Sequence, residues 1–349
     1  MSSSGPIRLG LAGAGRAGWG MHVKELEGQE DRFRFVAVCD PVEAHRARMV
    51  ERFGCRAYER YEDLLADAEV EMVDIATFSR DHGAHTLAAL RAGKDVFLEK
   101  PIAVKASEAR RIRSAAAKAK GRLYVRHNRR FETAFREIQD IIGSGRLGEV
   151  YSIKLRRGGF QRRDDWQTLR AMGGGQLLNW GPHLVDHALQ FLGYGELEVW
   201  SDLKRVAAAG DAEDHVRLLL RNAAGMVVDV EISGGRMIAE PEYIVAGTLG
   251  SLRATGNEIH VRRLDPAHPR APRSAQAGAA TSGFGGSRDD LQWLEETIQA
   301  DPAVRGTETD IWRHLHAAAR EGAAFPVTTD EAVAVMEVVD RARRDTAFA

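Results

Sequence analysis

From Pro6 to about Val125, short runs of apolar and β-branched residues alternate with segments whose apolar positions recur every three or four residues. Residues 7–12, 35–39, 72–76, 95–98 and 123–125 predict strands, and residues 19–27, 42–53, 83–92 and 107–120 predict the helices between them. Strand and helix in regular alternation predict a parallel, doubly wound sheet, because parallel neighbours need a long crossover. After Phe131 the rhythm changes. A helix over 133–144 leads to strand-like runs at 150–156, 197–201, 215–221, 226–232, 242–246, 251–254 and 258–262, with Asn222-Ala223-Ala224-Gly225 as a hairpin link. This half predicts one large, open, mostly antiparallel sheet backed by helices, an α+β domain. A Pro-, Ala-, Gly- and Ser-rich loop over 264–287 and helices over 289–300 and 330–346 complete the expectation. The chain is thus expected to be α/β in two domains, 1–127 and 128–349, with the final helix returning toward the first.

Composition narrows the functional classes. The 349 residues carry 49 Lys+Arg against 50 Asp+Glu, a net charge of -1, so the basic surplus that grips a phosphate backbone is missing and nucleic acid is not an expected partner. No run reaches the ~18 apolar residues of a membrane span, and Met1 to Gly5 lack the pattern of a signal peptide, so a cytoplasmic protein is expected. Cys39 and Cys55 are too few for a disulfide framework and show no metal-ligand spacing. They are expected as small buried hydrophobes, and no metal is expected.

Gly13-Ala14-Gly15-Arg16-Ala17-Gly18 fits G-x-G-x-x-G at the end of the first strand and the start of a helix. In that context the first glycine makes the turn, the second admits a pyrophosphate, and the third lets helix and strand approach. Asp40 ends the second strand, where a carboxylate accepts from a ribose diol and repels a 2′-phosphate, so NAD is expected. Arg16 keeps NADP as the alternative, by offering a counter-charge.

Two further segments carry chemistry. Glu99-Lys100-Pro101 follows the fourth strand, which aims Lys100 at the crevice beyond the strand ends, where burial would bring an amine toward a useful pKa. The run Gly173-Gly174-Gly175 feeds Asn179, His183, Asp186 and His187, which a continuous helix would set along one side. Histidine suits proton transfer near neutral pH. His183 and His187 at i, i+4 also have a zinc-like spacing, but no Glu base or third ligand accompanies them.

Together these motifs resemble the Gfo/Idh/MocA oxidoreductases, the glucose-fructose oxidoreductase and inositol dehydrogenase group, over essentially the whole chain, including Gly247-Thr248-Leu249-Gly250. The resemblance implies a Rossmann domain joined to an α+β domain whose sheet mediates a homodimer or homotetramer. It also implies hydride transfer between NAD(P) and a sugar or inositol-like polyol, with Lys100 orienting substrate and relaying a proton and His183 as acid/base. Asn179 stands where relatives commonly have Asp, and Asp186 matches the family acid offered to Lys100 or substrate hydroxyls. Thr77, Phe78 and His82 replace A-T-P-N-x-x-H with a Phe-Ser variant beside the nicotinamide, and Glu99 and Ala17 complete the cofactor side. Asn128 and Arg130 resemble the N-x-R-F segment and Trp166 precedes the glycine run, all as substrate contacts. A redox-assisted glycoside cleavage on the same fold, or a dinucleotide-binding regulator without chemistry, are the competing readings.

Overall fold

The computed structural model describes residues 5–270, 272, 274, 277 and 290–349. In the first half, β1 (Ile7–Ala12), β2 (Phe33–Cys39), α1 (Glu43–Phe53), β3 (Arg56–Tyr58), α2 (Tyr61–Ala66), β4 (Met72–Ile75), α3 (His82–Arg91), β5 (Asp95–Glu99), α4 (Ala106–Ala116) and β6 (Leu123–Arg126) follow one another. The six strands form one parallel sheet in the order β3-β2-β1-β4-β5-β6. Buried on both faces, β4 and most of β1 are apolar nearly throughout, as such strands must be. The chain runs outward from β1 on one side and restarts at β4 on the other, so their carboxyl ends flank a topological switch point where ligands of open sheets bind. β3 and α2 were not expected. β3 is a short edge strand whose side chains are largely exposed, so it carries no apolar signature.

In the second half, α5 (Thr133–Gly143), β7 (Val150–Gly158), α6 (Gln176–Asn179), α7 (Gly181–Leu192), β8 (Leu197–Lys204), β9 (His215–Asn222), β10 (Val227–Ser233), β11 (Tyr243–Gly247), β12 (Gly250–Thr255), β13 (Glu258–Leu264) and β14 (Trp293–Gln299) build an eight-stranded sheet. Its order is β14-β13-β12-β11-β7-β10-β9-β8, antiparallel except where β10 runs parallel to β7. The helix expected over 289–300 is instead β14. Leu291, Leu294 and Ile298 have helical spacing, but the segment pairs its backbone with β13 at the open edge, and most of its side chains are exposed, so the spacing did not record a buried face. The loop expected over 264–287 lies mostly outside the described residues.

Three helices close the chain: α8 (Pro302–Arg305), α9 (Asp310–His316) and α10 (Thr329–Arg343). α10 opens with a capping box, Thr328 to Glu331, which satisfies two otherwise unpaired backbone N–H groups. It lies against α4 and α7, and the Asp340 carboxylate accepts from the Ala106 N–H at 2.7 Å. α9 sends the fully buried Trp312 into the first sheet's core, edge-on to Phe33 and His22. Among the described residues no helix is long and apolar enough to cross a membrane.

Candidate functional site

The glycine loop has the shape of a phosphate cradle. Gly13 has φ +90, and a Cβ there would lie 2.6 Å from the Ala76 carbonyl oxygen. A Cβ on Gly18 would lie 2.1 Å from the Gly13 carbonyl, so strand end and helix start touch backbone to backbone. Over Gly15 a Cβ would meet nothing within 4 Å, leaving the space a pyrophosphate would fill. The short helix Gly18–Val23 follows directly, with Ala17 as its N-cap. Asp40 is buried at the end of β2, where its carboxylate accepts from the Ala14 N–H at 2.8 Å and the Val42 N–H at 2.9 Å. His45 Nδ1 lies 3.1 Å away, and Arg46 donates to the Asp40 carbonyl at 2.7 Å. Arg16 points elsewhere, across the crevice to Gln167.

At the carboxyl end of β5, Lys100 Nζ donates to the Asn179 carbonyl at 2.8 Å and lies 3.5 Å from Asn179 Oδ1. Burial pushes its amine down to about 8, with Glu99 opposing and Arg126, Arg16 and Arg129 assisting. His183, on α7, is held well below the ordinary histidine value by burial first and then by the Lys100 and Arg129 charges. Its Nδ1 is buried without a hydrogen-bond partner. The imidazole is therefore neutral at physiological pH. Asn179 ends α6 and His183 lies in α7, with Trp180 between the two helices rather than inside one continuous helix.

Other expected residues are drawn elsewhere. Asp186 is fully committed to Arg130, which donates from Nε at 2.7 Å and Nη2 at 2.6 Å and also binds Glu331 at 2.9 Å. This buried fork ties α7 to the segment after β6, so neither side chain is left over for substrate. His187 Nε2 donates to the Arg129 carbonyl at 2.9 Å, and the ring stacks on Phe135 at 3.8 Å, a packing role. His82 places Nδ1 2.7 Å from the Pro101 carbonyl and Nε2 3.2 Å from that of Thr77, so it joins the loop after β4 to the turn after Lys100. Phe78, partly exposed, meets Trp166 edge-on at 5.1 Å across the crevice. Asn128 is buried at the start of the short helix Asn128–Phe131. Among the described residues no group of three or more His, Cys, Asp or Glu could hold a metal ion.

Beneath Lys100 lies a buried network that the motifs did not announce. His22 is completely buried, with Nδ1 2.9 Å from Asp74 Oδ2 and Nε2 2.9 Å from Glu99 Oε1. Glu99 Oε1 also accepts from Arg126 Nη1 at 2.7 Å, and its Oε2 accepts from the Lys100 N–H at 3.1 Å. Arg126 forks onto Glu25 at 2.8 and 2.6 Å, and Glu25 accepts from Trp312 Nε1 at 2.6 Å. Burial disfavours the His22 cation, but Asp74 and Glu99 together outweigh it and raise the imidazole to about 9. Burial would raise Glu99, yet Arg126 and His22 hold its carboxyl far below the usual range. The available signal was Asp74, a carboxylate inside an otherwise apolar central strand.

Residues 7–127 match the family described as "Oxidoreductase family, NAD-binding Rossmann fold", and residues 135–253 match the "GFO/IDH/MocA C-terminal domain". The scyllo-inositol 2-dehydrogenase (NADP(+)) of Bacillus subtilis strain 168 is 26% identical over 285 residues, 80% of this chain and 78% of that protein. The D-glucoside 3-dehydrogenase of Escherichia coli K12 is 29% identical over 196 residues, 55% of this chain and 56% of its own length. The solved structure of yvaA from Bacillus subtilis has a TM-score of 0.80 at 21% identity, covering 98% of this chain and 96% of that one. GenD2 from gentamicin A biosynthesis, solved in complex with NAD, gives 0.77 at 24% identity, covering 98% and 95%. Both sheets have the expected architecture, and both halves of the chain match the same family's domains. The chain belongs to the Gfo/Idh/MocA family of NAD(P)-dependent oxidoreductases.

Proposed function

We propose that this chain interconverts a secondary alcohol and a ketone on a sugar, sugar derivative or inositol-like polyol, with residues 1–127 holding the dinucleotide and residues 128–349 the substrate. The observation that carries the reading is a partly buried, weakened amine, Lys100, whose charge acts on a neutral imidazole, His183, beside an open glycine cradle. Substrate names of the relatives, scyllo-inositol and D-glucoside, supply the class. Gly13, Gly15, Ala17, Glu99, Thr77, Phe78 and His82 fit the dinucleotide by position, and Asp40 favours NAD while His45 and Arg46 leave room for NADP. A bound nicotinamide supplies the two-electron acceptor for the hydride.

In the oxidation direction His183 accepts the hydroxyl proton and passes it toward Lys100, which takes it in its uncharged form. Asn179 holds Lys100 through its backbone carbonyl, and its side-chain amide is uncharged, so no charge on residue 179 pulls the Lys100 pKa back up. The Phe78–Trp166 pair offers an apolar wall against a ring's C–H face. Two free buried cysteines suit a reducing cytoplasm. The sheet's outward face, with Trp200 exposed in register across Leu219 from Asp229, is the proposed surface of self-association. The test is a panel of sugars and inositols with NAD and with NADP, followed at 340 nm, roughly the nicotinamide band that reports hydride transfer. No cofactor reduction with any polyol, or full activity in Lys100→Met, would end the proposal.

A further inference from the structure

The network beneath Lys100 has no task in the proton path above, yet it buries Asp74, Glu99, His22 and Arg126 together, with the partly exposed Glu25 at its edge. His22 has a carboxylate oxygen within hydrogen-bond reach of each ring nitrogen, so both nitrogens must donate and the ring must carry a proton. Were it neutral, one nitrogen lone pair would face a carboxylate lone pair in a dry interior. Glu99 is oriented by three donors: His22, Arg126 and the Lys100 backbone N–H. Its side chain is the only carboxylate among the charges that act on the Lys100 amine most strongly, against Arg126, Arg16 and Arg129.

We propose that His22 is a positioning residue: an imidazolium clasped between Asp74 and Glu99 that fixes the carboxylate under Lys100 and ties it to the helix following the dinucleotide loop. The charged and titratable groups around it come from every neighbouring element: Glu25 from its own segment, Asp74 from β4, Glu99 from the end of β5 with Lys100 just beyond it, and Arg126 from β6. α9 contributes only the Trp312 ring, at 5.4 Å. On its far side Lys100 meets His183, His127 and His82, all pushed toward neutrality by burial. The network's charge therefore reaches Lys100 through Glu99 first and through Arg126 next.

Opposite substitutions should move Lys100 in opposite directions. His22→Gln removes a cation from Glu99, strengthens its hold on the ammonium and makes Lys100 keep its proton to higher pH. Glu25→Gln releases Arg126 to act on Glu99 undivided, so Lys100 loses its proton at lower pH. A merely loosened structure would send both variants the same way, toward an ordinary lysine.

Competitive labelling of the full chain with trace acetic anhydride across pH, quantified by mass spectrometry for each of the 8 lysines, reads the Lys100 amine directly. The expected midpoint shift is upward by about 0.5–1 pH unit in His22→Gln and downward in Glu25→Gln, with the other seven lysines unmoved. An unmoved Lys100 midpoint, or shifts of the same sign, overturns the proposal. If His22→Gln does not fold, 15N spectra of histidine-labelled wild type decide: one ring should stay doubly protonated at about pH 8, and its absence overturns the proposal equally. The inference uses the reading of Lys100 given above only for its effect on turnover. Activity surviving in Lys100→Met would end that reading while leaving the labelling result to stand on its own.

Discussion

Arg16 Nη2 donates to Gln167 Oε1 at 2.9 Å, joining residues 151 apart and spanning the crevice between the dinucleotide loop and the second half of the chain. Gln167 Nε2 then donates to Asn179 Oδ1 at 3.2 Å, and the Asn179 carbonyl accepts from Lys100. An amide is the side chain that can accept at one end and donate at the other, so Gln167 relays position from the cofactor loop to the amine. Gln167→Ala is expected to lower kcat/KM about tenfold, with dinucleotide affinity changed by less than about threefold, the worth of one or two neutral hydrogen bonds. Steady-state kinetics beside calorimetric titration of NAD measure both. Unaltered kcat/KM would mean that the bridge does not act on the reaction.

Lys100→Met is expected to exchange activity for stability. Carrying an ammonium at an amine lowered from 10.5 to about 8 costs the folded state on the order of 3 kcal/mol at neutral pH, offset by about 1 kcal/mol from the Asn179 bond. A methionine of similar length removes the charge and keeps the packing. Turnover should fall by at least about 100-fold, as for loss of an acid/base group, while denaturant unfolding shows a gain of about 1–2 kcal/mol. A variant that is both inactive and less stable would indicate a structural lysine.

The pH dependence separates the two proton carriers. His183 titrates far below 6.5, so it is already neutral at pH 7 and adds no limb there. A limb near pH 8 is therefore expected from Lys100 rather than from histidine. Alcohol oxidation should rise as pH increases through about 8, since the amine must be free to accept the proton. His183→Ala should reduce kcat and leave that limb in place, whereas Lys100→Met should abolish it. Rate profiles from about pH 6 to 10 on the three proteins carry the test, and a limb lost with His183 would reverse the assignment.

The parallel sheet and its glycine loop were legible because buried strands and their turns leave local marks: four consecutive buried residues in β4, and glycines where two backbones touch. The positions of Lys100 and His183, just past a strand end and near a helix start, were legible for the same reason, while the roles proposed for them await the tests above. What escaped depended on pairing across the fold. Arg130 and Asp186 each look like a substrate contact in isolation, and only the bidentate geometry shows that they satisfy one another. Gln167 carries no local signal, because the bridge it makes depends on partners 151 and 12 residues away, besides Arg163 close by in sequence. The edge strand β14 failed for a related reason: exposed on most of its length, it has no face whose period could reveal its conformation.

His22 should be visible in stability as a function of pH. Its folded value, about 9, exceeds the unfolded 6.5, so the native state binds the extra proton between them. That contribution is complete below pH 6.5 and is lost as pH rises through 9. Lys100 acts with the opposite sign, because its folded value is below 10.5, but its gain begins only near pH 8. The buried histidines with lowered values, His82, His127 and His187, gain stability only up to about 6.5. The interval between about pH 7 and 8 is thus dominated by His22, where wild-type stability should decline by about 1 kcal/mol. His22→Gln should be less stable than wild type at pH 6.5 and flat across the same interval. Urea unfolding at half-unit steps of pH measures the slope, and a wild-type curve that rises between pH 7 and 8 would show that the imidazole is neutral in the folded protein.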